Sequence, residues 1–105
     1  MSIIKIPKNM FLKQPSIEFE YDPNKSASNL EKHGIDFEQA QELWKGKDVT
    51  IPLRGDHEEQ RYAVLGTIDG KHWTAVITFR DARIRIISVR RSRVKEASYY
   101  DAKED

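Results

Sequence analysis

Apolar and polar residues alternate cleanly at Ile17-Glu18-Phe19-Glu20-Tyr21, which predicts a half-buried strand. Asp22-Pro23 then opens a helix, with Asp as N-cap and Pro at the first helical position. That helix runs to His33 and stops at Gly34, a natural left-handed cap. Asp36 to Gln39 forms a D-x-x-Q capping box for a second helix, with Ile35 placed to staple onto Ala40. Phe37, Ala40, Leu43 and Trp44 fall at helical spacing and should face the core, and Gly46 ends the element.

The period then changes to that of strands. Val49–Leu53 is a short strand whose Pro52 places it at a sheet edge. Arg61–Ile68 and His72–Phe79 flank Asp69-Gly70, a strong hairpin signal. A tight connection at Arg80-Asp81-Ala82 leads into a further strand, Arg83–Val89. Ser92 is placed to cap a last helix through about Ala102. The order βααββββα predicts a compact α+β domain over residues 17–102, an antiparallel sheet with two N-terminal helices and one C-terminal helix. Residues 1–16 contain two prolines and no sustained period, and read as a loose leader.

Composition narrows the class. The chain has 105 residues and no cysteine, so a disulfide framework or thiolate metal site is excluded. Mean hydropathy is -0.72 and 33% of residues are charged, as in a soluble domain with a heavily charged surface. No apolar run approaches the ~20 residues of a membrane span, and no signal-peptide core forms near the amino end. A cytoplasmic location is expected.

The formal net charge of +1 hides a local excess. Residues 80–95 carry seven cations against one acid. Strict alternation would put Arg83 and Arg85 on one face with Ile87 and Val89, and Ile84, Ile86 and Ser88 on the other with Arg90. Arg90, Arg91 and Arg93 sit at or before a helix amino end, which already attracts anions. Together with Arg80 these residues suit a phosphate-binding surface. The plainer alternative is a solvated face with salt bridges to the acidic segments.

Other polar groups extend the chemistry. Lys25, Asn29, Lys32 and His33 share one side of the first helix and could hold RNA phosphates, leaving Ala27 and Leu30 for the core. His33 suits proton transfer near neutrality. The segment His57-Glu58-Glu59-Gln60-Arg61 offers acids beside an arginine. Cleaving RNA without a metal needs a base, an acid and cations at the phosphorus, and Glu59, Arg61, His33 and the arginine strand supply these types. Tyr100 is a candidate RNA contact and Trp44 a core residue. The histidines lack tight metal-ligand spacing, so no metal or other cofactor is expected.

These residues also carry a resemblance. Phe19-Glu20-Tyr21-Asp22-Pro23, Lys25, Asn29, Lys32-His33-Gly34-Ile35, Phe37 and Ala40 are similar to the opening of BrnT-type toxins. Glu59, Arg61, Gly66, Gly70, Arg83 through Arg91, Glu96 and Tyr100 resemble their second half. Tyr21 stands where a tryptophan is commoner, Ser92 replaces a small apolar residue, and the leader has no counterpart. The resemblance implies a RelE-like fold and an endoribonuclease toxin of a type II toxin–antitoxin system that inhibits translation. It implies a BrnA-type ribbon-helix-helix antitoxin as partner, and repression of the operon by the complex through operator DNA. His33, Glu59, Arg61, Arg83, Arg85 and Arg90 are then the catalytic candidates. Lys25, Asn29, Lys32, Arg80, Arg91, Arg93 and Tyr100 are the RNA-binding ones. The competing reading is a non-catalytic nucleic-acid-binding module or co-repressor that acts only in complex.

Overall fold

The computed structural model describes residues 17–55 and 58–103; the leader and His57 lie outside them. Five strands form one sheet in the order β1-β5-β4-β3-β2. They are β1 (Glu18–Glu20), β2 (Val49–Leu53), β3 (Arg61–Ile68), β4 (Lys71–Arg80) and β5 (Arg83–Arg91). β2 to β5 make the expected antiparallel meander, and Pro52 lies on the edge strand. The sheet as a whole is mixed, however. β1 pairs parallel with β5, matching Glu18 with Arg83 and Glu20 with Arg85. The reason is topological: both helical segments and the meander intervene before β5 returns to β1.

Helix α1 (Pro23–His33) has the predicted caps. Asp22 Oδ1 accepts from the Asn24 N–H at 2.8 Å, and Gly34 adopts φ +77°. The capping box also forms, since Gln39 N–H donates to Asp36 Oδ1 and Asp36 N–H to Gln39 Oε1. The segment it opens, Gln39–Lys45, is a 3-10 helix rather than an α-helix. Phe37, Ala40 and Leu43 recur every third residue and all are buried, which matches three residues per turn. Leu43 packs so closely on β3 that a Cβ at Gly66 would lie 2.9 Å from its Cδ2.

Helix α2 (Val94–Ala102) begins one residue later than expected, with Arg93 as N-cap. Glu96 Oε1 accepts the Arg93 N–H at 2.7 Å. Ser92 instead extends the sheet: its N–H donates to the His72 carbonyl and its hydroxyl bonds Thr74 Oγ1.

Two apolar clusters cover the two sheet faces. Ile35, Phe37, Ala40, Leu43, Val64, Trp73, Ala75, Ile77, Ile84, Ile86 and Val89 fill the larger one, under α1 and the 3-10 helix. Ala63, Leu65 and Tyr100 form the smaller one beneath α2. Among the described residues, no helix is long and apolar enough to cross a membrane.

Candidate functional site

A single irregularity in β5 arranges the arginines. The register shifts between Val76 and Ile77, so that Val76 faces Ser88 while Ile77 faces Ile86, and Ile87 is the extra residue of a bulge. Side-chain parity therefore flips at this point. Ile84, Ile86 and Val89 all reach the large core. Arg83, Arg85, Ser88 and Arg90 consequently share the opposite face, where strict alternation would have separated Arg90 from Arg83 and Arg85. Thr78 and Thr74, the cross-strand partners of Arg85 and Arg90, lie on the same face.

On that face each of these arginines meets a carboxylate. Arg83 Nε lies 3.2 Å from Glu18 Oε2, and Arg85 Nη1 2.7 Å from Glu20 Oε2. Arg80 sits 3.5 Å from Glu59 and 3.8 Å from Glu20. The salt-bridged arrangement is thus the one the protein adopts on its own. β1 is the reason, because its parallel pairing sets Glu18 and Glu20 opposite Arg83 and Arg85.

Arg90 is held most firmly. Its Nη1 and Nη2 donate to Glu96 Oε1 and Oε2 at 2.7 and 2.8 Å. Thr74 Oγ1 donates to the same carboxylate at 3.1 Å. The Arg90 hydrogen bonds, opposed by partial burial and aided by the Arg93 N–H, hold the Glu96 carboxyl down at about 2. Its partner is shifted the complementary way, the Arg90 guanidinium upward.

The helix stripe divides. Lys25, Lys32 and His33 are exposed, but Asn29 is buried at 6% exposure. Its Nδ2 donates to the Ile35 carbonyl at 2.8 Å and the Val89 carbonyl at 2.9 Å, and its Oδ1 accepts the Val89 N–H at 3.1 Å. A side-chain amide thereby serves as a short surrogate strand where β1 no longer covers β5. The residues expected in the core, Ala27 and Leu30, face solvent instead, and Ser26 is buried with its Oγ accepting the Phe37 N–H. The inward face of α1 is polar because it meets backbone rather than side chains.

Between α1 and the β5 bulge runs an open groove of about 370 Å³, lined by Lys25, Ser28, Asn29, Lys32, His33, Ile87 and Ser88. It brings two lysines and an imidazole beside the strand that carries Arg85 and Arg90. Among the described residues Lys25 and Lys32 have no ion-pair partner.

The remaining candidates lie elsewhere. Glu59 is paired to Arg80 beside the far end of β5; at ~3.3 Å per residue, that end is roughly 13–17 Å from the groove. Arg61 is partly buried on β3, and its Nε has no hydrogen-bond partner among the described residues. Arg91 caps the Trp73 ring at 5.4 Å and donates through Nε to the His72 carbonyl. Arg93 is the helix cap. Tyr100 is not an exposed platform: it is 8% exposed and its hydroxyl donates to the Lys47 carbonyl. Trp44 packs edge-on to Phe19 at 4.9 Å against the core, as expected. Sequence reasoning missed Glu96 as the anchor of Arg90, although an acid at the third position after a helix cap was a visible signal. Among the described residues no three His, Asp or Glu side chains cluster as a metal site would require.

Among curated proteins, none matches the chain. Residues 21–96 do match a family described as the ribonuclease toxin, BrnT, of a type II toxin–antitoxin system, and this stretch runs from Tyr21, just after β1, to Glu96. By that match over most of its length, the chain belongs to the BrnT family of ribonuclease toxins.

Proposed function

We propose that the chain is a metal-independent endoribonuclease whose cleavage centre is the groove between α1 and the β5 bulge. The observation that carries this reading is the convergence of Lys25, Lys32 and His33 on Ser88, at the bulge that also turns Arg90 onto the face of Arg85. RNA cleavage of this kind removes a proton from a 2′-hydroxyl, which attacks the phosphorus while the 5′-oxygen departs with a proton. His33 is the proton carrier in the groove, and Lys25 and Lys32 hold flanking phosphates. Arg85 and Arg90 stabilise the charge that builds on the phosphorus oxygens. Glu59 is too distant to act on the same phosphate as His33, so the groove favours His33. Arg83 on β5 and Arg80 on β4 lie farther from the groove, each paired to a carboxylate of the chain.

In this reading residues 17–102 are a RelE-like toxin domain that works on RNA in the cytoplasm to arrest translation. Its partner is an antitoxin of BrnA type, with a ribbon-helix-helix domain through which the pair represses its own operon. Incubation of purified protein with RNA in EDTA tests the reading. Cleavage that falls at least ~100-fold in His33→Ala and Arg85→Ala supports it; intact RNA from a folded sample sinks it.

One observation favours a second reading. Arg80, Arg83, Arg85 and Arg90 all meet carboxylates within the chain. A co-repressor that binds nucleic acid only in complex has such a self-neutralised face, and it predicts salt-sensitive binding with no cleaved product.

A further inference from the structure

Next to His33 the surface dips a second time. Gly34, the adjacent residue, lies at the mouth of a pocket of about 200 Å³ formed by Ile35, Gln39, Ile68, Asp69, Lys71 and Trp73. It lies between the start of the 3-10 helix and the β3–β4 turn, and none of these residues belongs to the cleavage groove. Its volume suits one heterocyclic base and excludes a folded strand.

The lining divides by chemistry. Half-buried Ile68 makes the apolar wall, and Ile35 and Trp73, only 4% and 9% exposed, close the floor behind it. Gln39, Asp69 and Lys71 supply the polar groups. The orientation of Gln39 is set by its bonds: Oε1 accepts the Asp36 N–H at 3.0 Å, so that atom is the oxygen and Nε2 carries both hydrogens. Among the described residues Nε2 donates to nothing. The Asp69 carboxylate also has no ion-pair partner among the described residues. The pocket therefore presents donors from Gln39 and Lys71, and a two-oxygen acceptor from Asp69.

The geometry points to a guanine site: this pocket receives a guanine base of the RNA while the adjoining phosphate lies in the groove at His33. Guanine presents N1–H and the N2 amino group side by side, which a carboxylate accepts bidentately, and its O6 and N7 accept from an amide or ammonium. Adenine, cytosine and uracil each lack two adjacent donors and leave one Asp69 oxygen unpaired. The inference rests on the ribonuclease reading for its substrate, but the pocket can be tested without cleavage.

Asp69→Asn is the informative variant, because Asn-Gly suits a hairpin turn in which Asp69 has φ +51° and Gly70 φ +76°. The fold is retained while the two-oxygen acceptor is lost. Titration calorimetry of the intact protein with GMP, AMP, CMP and UMP is expected to show GMP bound at least ~10-fold tighter. Asp69→Asn should bring the four to within about twofold. In parallel, oligonucleotides that differ only in one base beside the cleaved bond should be cut at least ~10-fold faster with G. GMP bound no tighter than the other three, or an undiminished preference in Asp69→Asn, overturns the guanine site even if RNA is cut. Selective, Asp69-dependent GMP binding with every RNA left intact upholds the pocket and removes the ribonuclease reading instead.

Discussion

Glu96 concentrates more interactions than any arginine it serves. One carboxylate takes both guanidinium nitrogens of Arg90, the Thr74 hydroxyl and the N-cap amide of α2. Its side chain is 22% exposed, so solvent screens these contacts only in part. A carboxyl with a folded pKa of about 2 against an ordinary 4.5 adds stability that is fully present above the ordinary value. That stability is lost as pH falls through about 2 and amounts to on the order of 2–3 kcal/mol. Urea unfolding should find Glu96→Gln less stable than wild type by this order at neutral pH. The gap should narrow as pH drops from about 5 to about 2, and a pH-independent gap would place the stabilisation elsewhere. From the sequence Arg90 was legible as a cation at a helix start, but its partner was not. A helix cap three residues upstream of an acid is common, and only the turn of β5 into α2 aims Arg90 at it.

At the scale of elements, caps and turns were the most legible features. Asp22-Pro23, Gly34, Asp36 with Gln39, and Asp69-Gly70 act through backbone bonds within a few residues, so local sequence suffices to specify them. The inward face of α1 was illegible for the opposite reason. Asn29 reaches sixty residues along the chain to Val89, and periodicity ranks asparagine as surface. Replacing it by leucine keeps the bulk, but leaves the Val89 N–H and the Ile35 and Val89 carbonyls without a partner. Unfolding measurements should show Asn29→Leu destabilised by about 2–4 kcal/mol, well above the cost of an exposed helix substitution. Amide exchange at Val89 should accelerate with it. A loss under about 0.5 kcal/mol would mean that water replaces the amide freely. The 3-10 helix lies between these cases. Its buried apolar residues are legible in the sequence, but a spacing of three fits an α-helix nearly as well, so the helix type is not.

For the molecule as a whole, charge is distributed by topology rather than by totals. A net charge of +1 coexists with an arginine face neutralised by β1 and α2, and with a groove whose two lysines have no acidic partner among the described residues. RNA affinity should therefore fall with salt, and Lys25→Ala and Lys32→Ala should each flatten the log–log slope by roughly 0.7. Arg83→Ala, whose charge is already offset by Glu18, should change it less; equal effects at all three would deny the groove its role. By itself the sequence determined the order of the elements, the caps of α1, the Asp36–Gln39 capping box, the edge position of β2 and the family, because these depend on near neighbours and residue order. Tertiary structure alone decided the parallel pairing of β1, the bulge that puts Arg90 on the face of Arg85, and the burial of Asn29. Each of these depends on contacts between segments far apart in the chain. The same long-range packing sets Lys25, Lys32 and His33 against Ser88, which no local pattern of charge could announce.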